Sequence, residues 1–337
     1  MSYLKKPSPE FIDLVKRSGS MNRAEAVEAQ AQIAIALQTP LREGVLVGDI
    51  ASGIFSRLPM EPGTSTEFPL DLLSPGTESD YVAYTNPGHG RVPERTVEGD
   101  YVMIPTYSIT NSVDWLLRYA REARWDIVNR ATQVMEAGFV KKMNDDGWHT
   151  LLAAGVDRNI LVYDADAAAG QFTKRLISLL KVVMRRNAGG NSASLKRGRL
   201  TDMFMSPEGV EDIRNWGVDQ LDETTRREVY TAADGAGSVS RIFGVNLKAL
   251  DEFGEGQEYQ DYFTNQLSGT LGPSSDVELV VGVDMSTDDS FVMPIKQEVT
   301  IYDDADNLFR QQRGGLFGFA ELGFGVLDNR RVLLASF

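Results

Sequence analysis

Two histidines, His89 and His149, are the first residues to consider for chemistry, because the chain has no other histidine and no cysteine. His89 lies in the turn-forming segment NPGHG, and His149 follows the predicted end of a long helix. A catalytic histidine needs a nucleophile and a carboxylate that orients its ring, and the sequence indicates neither partner. The lack of cysteine excludes disulfides, thiolate metal sites and cysteine nucleophiles. We therefore predict no catalytic residue and a protein that is not an enzyme.

Three other patterns resemble sites but lack the residues that would complete them. Ser178 and Lys181 have the Ser-x-x-Lys spacing of β-lactamases, but the companion motifs SDN and KTG are absent. The acidic segments 164–166 and 303–306 suggest calcium ligands, yet neither has the glycine and distal glutamate of an EF-hand. The glycines within 314–325 do not form the phosphate-binding Walker pattern and are typical of strands packed beside aromatic residues. We predict no cofactor and no metal.

Charge is distributed unevenly along the chain, whose formal net charge is −14. Residues 1–200 carry 24 Lys and Arg against 23 Asp and Glu, whereas residues 201–337 carry 10 against 25. Between residues 167 and 201 there are eight basic residues and no acidic one. Phosphate attraction supplies most of the non-specific affinity for nucleic acid, so the acidic total argues against a freely binding nucleic-acid protein. The basic stretch is either a surface that faces nucleic acid or a solvated helix face followed by a basic turn.

The composition is that of an ordinary folded protein, with 42% hydrophobic and 24% charged residues. No run of eighteen apolar residues is present, so we expect no transmembrane helix. The first twenty residues lack the apolar core of a secretory signal, and we expect synthesis in the cytosol.

The longest predicted element is a helix over residues 111–147, roughly 50 Å long at 1.5 Å per residue. Its apolar residues recur every three or four positions, which places them on one face. Asn111 is the predicted N-cap, and Asp114 three residues later completes a capping box. Residues 144–147, Asn-Asp-Asp-Gly, are the predicted end of the helix.

Irregular and extended segments precede this helix, and shorter helices and strands follow it. An arm is predicted over residues 1–76, with a helix at 22–38, and a two-stranded hairpin over residues 77–110. A long irregular connection is unusual within a compact domain, and an isolated hairpin is marginal in water, so both are expected to contact neighbouring subunits. The later elements are expected to be a strand at 160–163, a helix at 170–187, a strand at 203–205, a helix at 206–216, a strand at 242–250 and several strands within 277–337. The fold class is therefore α+β.

In this order the elements resemble the major capsid proteins of tailed bacteriophages, which have the Hong Kong 97 fold. The strand–helix step MSPEGVEDIRNWG is similar to part of the family's axial domain. The closing segment FRQQRGGLFGFAELGFGVLDNRRVLLASF, with Glu321, is similar to the strand that returns through its peripheral domain. The resemblance implies five parts: an N-terminal arm at 1–75, an E-loop hairpin at 76–110, the spine helix and first part of the peripheral domain at 111–159, the axial domain at 160–290, and the returning peripheral strands and C-terminus at 291–337.

The same resemblance implies a structural function. The expected protein is a major capsid protein that self-assembles into hexamers and pentamers of an icosahedral shell around double-stranded DNA. Its implied partners are other copies of itself, a scaffolding protein, a portal, a decoration protein where one is present, and packaged DNA bound without sequence preference, but no membrane. Its implied location is the virion capsid, assembled in the bacterial host cytoplasm. The alternatives are an encapsulin-like or gene-transfer-agent shell, and an α+β enzyme or binding module whose loops 217–240 and 252–276 form a pocket.

The resemblance also assigns roles to individual residues. Some family members join subunits by a covalent bond from an E-loop lysine, but residues 61–140 contain no lysine, so we expect noncovalent contacts. Exposed ion pairs contribute only about 0–1 kcal/mol each, but a shell repeats them at every subunit. The E-loop residues expected to pair across subunits are Arg91, Glu94, Arg95, Glu98 and Asp100. The residues expected to face DNA are Lys5, Lys6, Lys16, Arg17, Lys141 and Lys142.

Overall fold

The computed structural model of the protein describes residues 8–48, 51–70, 100–122, 124–168, 170–186, 198–216, 241–267, 271, 278–304, 308 and 311–337. The helices within these ranges are α1 (Pro9–Ser18), α2 (Arg23–Gly48), α3 (Leu117–Arg121), α4 (Trp125–Asp157), α5 (Lys174–Arg186), α6 (Pro207–Asn215) and α7 (Glu258–Tyr262). The strands are β1 (Ser56–Pro59), β2 (Glu67–Leu70), β3 (Asp100–Met103), β4 (Tyr107–Leu116), β5 (Leu161–Tyr163), β6 (Asp202–Met205), β7 (Arg241–Ile242), β8 (Val245–Ala249), β9 (Leu279–Val283), β10 (Phe291–Asp303), β11 (Arg313–Leu322), β12 (Gly325–Val326) and β13 (Val332–Ser336).

The chain divides into two compact units, each built from separate stretches of sequence. The first unit comprises the described residues of Met1–Thr66, Ile104–Gly147 and Met293–Phe324. The second comprises those of Glu67–Met103, Trp148–Val292 and Gly325–Phe337. The five-part division expected from the family resemblance stays a prediction.

The first unit contains a sheet in the strand order β1-β10-β11-β4. Strands β4 and β11 pair antiparallel over ten residues, from Leu116 opposite Arg313 to Tyr107 opposite Leu322. Helix α4 packs closely on one face of this sheet: a Cβ at Gly318 of β11 would lie 3.0 Å from the Phe139 ring. Glycine at this position therefore lets an aromatic side chain of the helix pack directly on the strand.

Helix α2 of the first unit extends ten residues beyond the predicted end at residue 38 and includes Pro40. Proline inside a helix costs about 3 kcal/mol, because it removes a hydrogen bond and clashes with the preceding turn. Ile33, Leu37, Leu41 and Val45 recur every four residues, and all four are buried. Burial of a Leu, Ile or Val side chain contributes about 1.5–3 kcal/mol, so continuing this apolar face past the proline outweighs the cost.

The second unit contains a six-stranded mixed sheet in the order β5-β13-β9-β6-β8-β7. Its central strands are buried along their whole length, as expected for strands covered on both faces. Leu176, Leu180 and Met184 of α5 belong to the hydrophobic core of this unit. Ser206 caps α6 by accepting a hydrogen bond from the Gly209 backbone N–H at 3.2 Å. The predicted strand at 203–205 and the helix that follows it are confirmed.

The long helix lies at a different place from the one predicted, which is the main error of the sequence analysis. It spans Trp125–Asp157, whereas residues Tyr107–Leu116 form strand β4. Ile109 and Trp115 are buried, and Thr110, Ser112 and Asp114 between them are exposed, as is Ser108. That alternation has the period of two that defines a half-buried strand. The prediction missed it because the apolar residues that follow recur every three or four positions, and the helix assigned from them was extended back to Asn111.

The residues assigned to the two ends of the helix have other contacts. Asn111 is not an N-cap; its side-chain amide donates to the Met135 carbonyl at 3.2 Å. Gly147 does not end the helix, which continues to Asp157. A Cβ at Gly147 would lie 2.5 Å from the Ala51 Cβ, so glycine permits the close contact there. Asn144 accepts a hydrogen bond from the Ala51 backbone N–H at 3.0 Å. The polar segment therefore holds a tight packing contact within a continuing helix.

The hairpin also begins earlier than predicted. Strand β2 pairs antiparallel with β3, from Glu67 opposite Met103 to Leu70 opposite Asp100. Residues 67–70, assigned to the arm on the sequence, are thus one strand of the hairpin. The other predicted strand, at 81–84, lies outside the described residues.

Candidate functional site

The residues that first suggested chemistry have structural contacts where the structure describes them. The His149 ring stacks on Tyr262, with 3.7 Å between ring centroids and 20° between planes. The Ser178 hydroxyl donates to the Lys174 carbonyl at 3.3 Å, and the Lys181 ammonium donates to the Phe243 carbonyl at 2.8 Å. His89 lies outside the described residues. Each of the three described candidates therefore contacts the surrounding fold.

One of the acidic segments predicted to be ordinary loops, residues 164–166, is partly neutralised by a basic side chain. Asp164 accepts a hydrogen bond from the Thr173 hydroxyl at 2.7 Å and lies 3.4 Å from the Arg175 guanidinium. Asp166 forms an ion pair with the same arginine. The described parts of the chain contain no group of three side chains placed to hold a metal ion. None of their helices is both long enough and apolar enough to cross a bilayer.

The residues expected to face DNA lie on two separate helices where the structure describes them. Lys16 and Arg17 are in the last turn of α1, and Arg17 lies 3.6 Å from Glu25. Lys141 and Lys142 are in α4, and Lys142 forms an ion pair with Asp146 at 2.7 Å. Lys5 and Lys6 lie outside the described residues. Contact of any of these residues with DNA stays a prediction.

Of the residues predicted to pair across subunits, the structure describes the backbone of one. Asp100 is the first residue of β3 and lies opposite Leu70 of β2. Arg91, Glu94, Arg95 and Glu98 lie outside the described residues. The predicted ion pairs of the E-loop therefore stay predictions.

The ribbon formed by β2 and β3 exposes apolar side chains. Tyr101 and Met103 are 69% and 66% exposed, and Pro69 lies opposite Tyr101 on the paired strand. Because side chains alternate between faces, Phe68 and Val102 lie on the reverse face, where both are partly buried. A two-stranded ribbon is marginally stable in water, and large apolar side chains this exposed are typical of surfaces that contact a partner. The sequence indicated the apolar residues of β3 but not β2, whose four residues include a proline.

A second exposed apolar cluster lies on the sheet of the first unit. Tyr302 of β10 stacks on Phe317 and Phe319 of β11, with ring centroids 5.5 Å and 5.4 Å apart. Tyr302 and Phe317 remain 42% and 38% exposed. Strand β4 places Ser112 opposite Phe317 and Thr110 opposite Phe319. Aromatic side chains surrounded by polar ones have the arrangement of a protein–protein contact surface.

The second unit contains buried ion pairs next to strand β13. Arg331, 1% exposed, forms an ion pair with Asp284 at 2.6 Å and lies 3.6 Å from Asp328. Arg330 forms a second pair with Asp328 at 2.8 Å. Such pairs do not necessarily increase stability over an apolar core, but removal of one partner leaves a buried charge uncompensated. The sequence contains these residues in the segment DNRR, but nothing in it indicated their partner Asp284.

Burial also raises the pKa of two groups. Burial, together with the hydrogen bond that the Tyr107 hydroxyl donates to Asp146 at 2.8 Å, raises the pKa of Tyr107 above its usual range. Burial raises the pKa of Glu278, although the hydrogen bond from the Ser206 hydroxyl opposes the shift. Both groups contact neighbours in the same unit.

Comparison of the fold with solved structures identifies the architecture. The sequence matches no protein-family model, and it matches no curated protein sequence. The structure is similar to the capsid asymmetric unit of cyanophage Pam1, with a TM-score of 0.56 and 13% identity over 84% of this chain and 88% of that one. It is also similar to the head structure of Helicobacter pylori bacteriophage KHP40, with a TM-score of 0.53 and 9% identity over 84% and 86%.

The chain has a phage capsid fold. A third solved structure, from Microbacterium phage Oxtober96, agrees, with a TM-score of 0.56 and 12% identity over 86% of this chain and 90% of that one. The α+β class and the Hong Kong 97-like architecture expected from the order of elements are confirmed. At these identities the likeness is one of fold.

Proposed function

We propose that this chain is the major capsid protein of a tailed bacteriophage, and that it assembles through hexamers and pentamers into an icosahedral shell around double-stranded DNA. The observation that carries the proposal is the likeness to phage capsid chains over more than four fifths of both chains. A likeness of that extent covers more of the chain than either of its two compact units.

The exposed ribbon supports this proposal independently of the comparisons. A ribbon with apolar side chains on both faces gains stability when each face is covered. The described residues of one subunit leave Tyr101 and Met103 exposed. In a shell, the ribbon of one subunit would lie against its neighbour and bury these side chains. Since residues 61–140 contain no lysine, a lysine-based E-loop bond is unavailable, and the contact would be noncovalent.

The remaining partners follow from the same proposal. Scaffolding protein, portal and any decoration protein would bind the assembling shell in the host cytoplasm, and packaged DNA would contact its inner surface through phosphates without base recognition. We expect the scaffolding protein to be a separate chain. Uniform shells of the correct size from this chain alone would contradict that expectation.

Negative-stain electron microscopy of the purified protein over a range of salt concentrations, with light scattering in parallel, tests the proposal. Closed shells, or rings of five and six subunits, are the expected result. A monomer or dimer under every condition, including with the scaffolding protein present, would refute the capsid function while leaving the fold unchanged.

A further inference from the structure

The basic stretch seen in the sequence forms an open cleft in the second unit. The cleft has a volume of about 480 Å³ and lies between α5 and the segment that precedes β6. Three of its lining residues are basic, Lys181, Arg185 and Arg199, and its described lining contains no carboxylate. Its volume lies within the range of small-ligand sites, about 300–1,000 Å³. None of the residues expected to face DNA lines this cleft.

The local backbone brings the three cations together. Lys181 and Arg185 are four residues apart in α5, so they lie on the same exposed face of the helix. At Gly198, a Cβ would lie 2.5 Å from the Met184 carbonyl oxygen, so this close approach to the last turn of α5 requires glycine. The next residue, Arg199, therefore lines the same cleft. Attraction to the helix dipole explains basic residues in the last turn of α5, but it does not explain Arg199.

Two acidic residues of the described chain that contact the segment around Arg199 and β6 are paired with other groups. Asp284 accepts a hydrogen bond from the Arg199 backbone N–H at 2.8 Å, but this carboxylate is fully buried and forms an ion pair with Arg331. Asp202 is buried and lies 3.4 Å from Lys248. Neither carboxylate lines the cleft.

The basic residues at the two ends of α5 differ in their ion pairs. Arg175, at the N-terminal end, forms ion pairs with two aspartates. Within the described ranges, no ion pair joins Lys181, Arg185 or Arg199 to an acid. The sequence that joins α5 to Gly198, residues 187–197, contains one lysine, one arginine and no acid.

We propose that this cleft binds a multivalent phosphate-type anion, supplied either by a DNA backbone or by free polyphosphate. Three cations match an anion of two or more charges better than a single carboxylate. The planar guanidinium groups of Arg185 and Arg199 can each donate two hydrogen bonds to phosphate oxygens. The Lys181 ammonium uses one donor on the Phe243 carbonyl, which leaves two for the ligand. This inference does not depend on the proposed function, because the cleft lies within one chain.

Isothermal titration calorimetry of the full-length protein with sodium tripolyphosphate, at ionic strength held constant with sodium chloride, tests the proposal. The variants are R185Q and R199Q, and R186Q is the matched control, since Arg186 is exposed on the same helix and does not line the cleft. We expect the wild-type chain to bind and each of the first two variants to bind about ten-fold more weakly, the loss expected for a hydrogen bond to a charged group. R186Q should retain wild-type affinity.

Competition with a short DNA duplex separates the two sources of phosphate. Two results together would identify DNA as the source. The duplex would displace tripolyphosphate, and the slope of log duplex affinity against log salt concentration would fall in magnitude by about one for each arginine removed. Binding of tripolyphosphate that the duplex does not displace would identify a free polyphosphate. Absence of binding to the wild-type chain, or equal weakening in all three variants, would overturn the proposal. A change in self-assembly in R185Q and R199Q without tripolyphosphate binding would overturn it too, and would indicate instead that the cleft meets an acidic surface of a second copy.

Discussion

Replacement of Tyr101 and Met103 by serine should weaken assembly strongly and leave the fold of the subunit intact. The two side chains are 69% and 66% exposed in the isolated chain, so their loss removes little intramolecular packing. Surface substitutions of this kind change the free energy of unfolding by about 0.5 kcal/mol or less. The melting temperature of the unassembled variant should therefore match that of the wild-type chain.

The effect on assembly follows from the apolar area that a neighbour would cover. A tyrosine buries roughly 200 Å² when fully covered, so covering the exposed part of Tyr101 removes roughly 140 Å² from water. At about 25 cal/mol per Å² this contributes about 3.5 kcal/mol, and partial burial of Met103 adds about 1–2 kcal/mol. These are upper values, because ordering of the side chains opposes them. A net loss of about 3 kcal/mol per subunit would raise the critical concentration for assembly about 100-fold.

Light scattering against protein concentration measures this critical concentration. Tyr163→Ser is the matched control, because Tyr163 is 64% exposed but lies on β5, away from the ribbon in sequence. An unchanged critical concentration in the double variant, with normal melting, would refute the reasoning that the ribbon is a contact surface. A lowered melting temperature would show that the ribbon packs within its own chain.

Three further predictions concern the stability of the subunit. Gly318→Val should reduce the free energy of unfolding by about 1–3 kcal/mol, because the new side chain would overpack against Phe139 only 3.0 Å away; urea unfolding measures the loss. Arg331→Met should reduce it by about 3–5 kcal/mol, because the buried Asp284 carboxylate would lose its partner. Burial raises the pKa of Glu278, so its stabilising effect is complete below the unfolded pKa of about 4.3 and is lost as the pH rises through the folded pKa. Glu278→Gln should therefore flatten the dependence of melting temperature on pH and leave the variant relatively more stable near neutral pH.

Each of these predictions has a matched control within the chain. Gly53→Ala should change stability little, since a Cβ there meets no atom within 4 Å. Arg313→Met should cost less than about 1 kcal/mol, because its ion pair with Asp114 at 2.7 Å is about half exposed on both sides. Glu61→Gln removes an exposed carboxylate and is the control for the change of charge at Glu278. Controls as damaging as their partners would mean that burial does not determine the cost.

Local patterns predicted the elements whose own residues decide their structure. Helix α6 begins at a Ser-Pro pair because serine caps the free N–H groups and proline fits the first turn. Helix α5 was predicted from a clear apolar face, and its residues Leu176 and Leu180 are fully buried. Patterns failed where one stretch satisfied two periods: residues 111–116 were assigned to a helical face, but they continue the alternation of a strand that begins at Tyr107. Only pairing with β11 selects the strand, because the backbone groups of β4 that face β11 then gain hydrogen-bond partners.

The sequence by itself determined the α+β class, the order of elements that led to the capsid fold, the uneven charge and the lack of a lysine in the predicted E-loop. The tertiary structure decided which distant residues meet. Arg199 joins Lys181 and Arg185 in one cleft because Gly198 permits a backbone approach to α5, and Arg331 meets Asp284, 47 residues away, inside the core. Local sequence specifies periodicity and caps through neighbouring residues, whereas such contacts depend on strand register and on which face is buried, and these are properties of the whole folded chain.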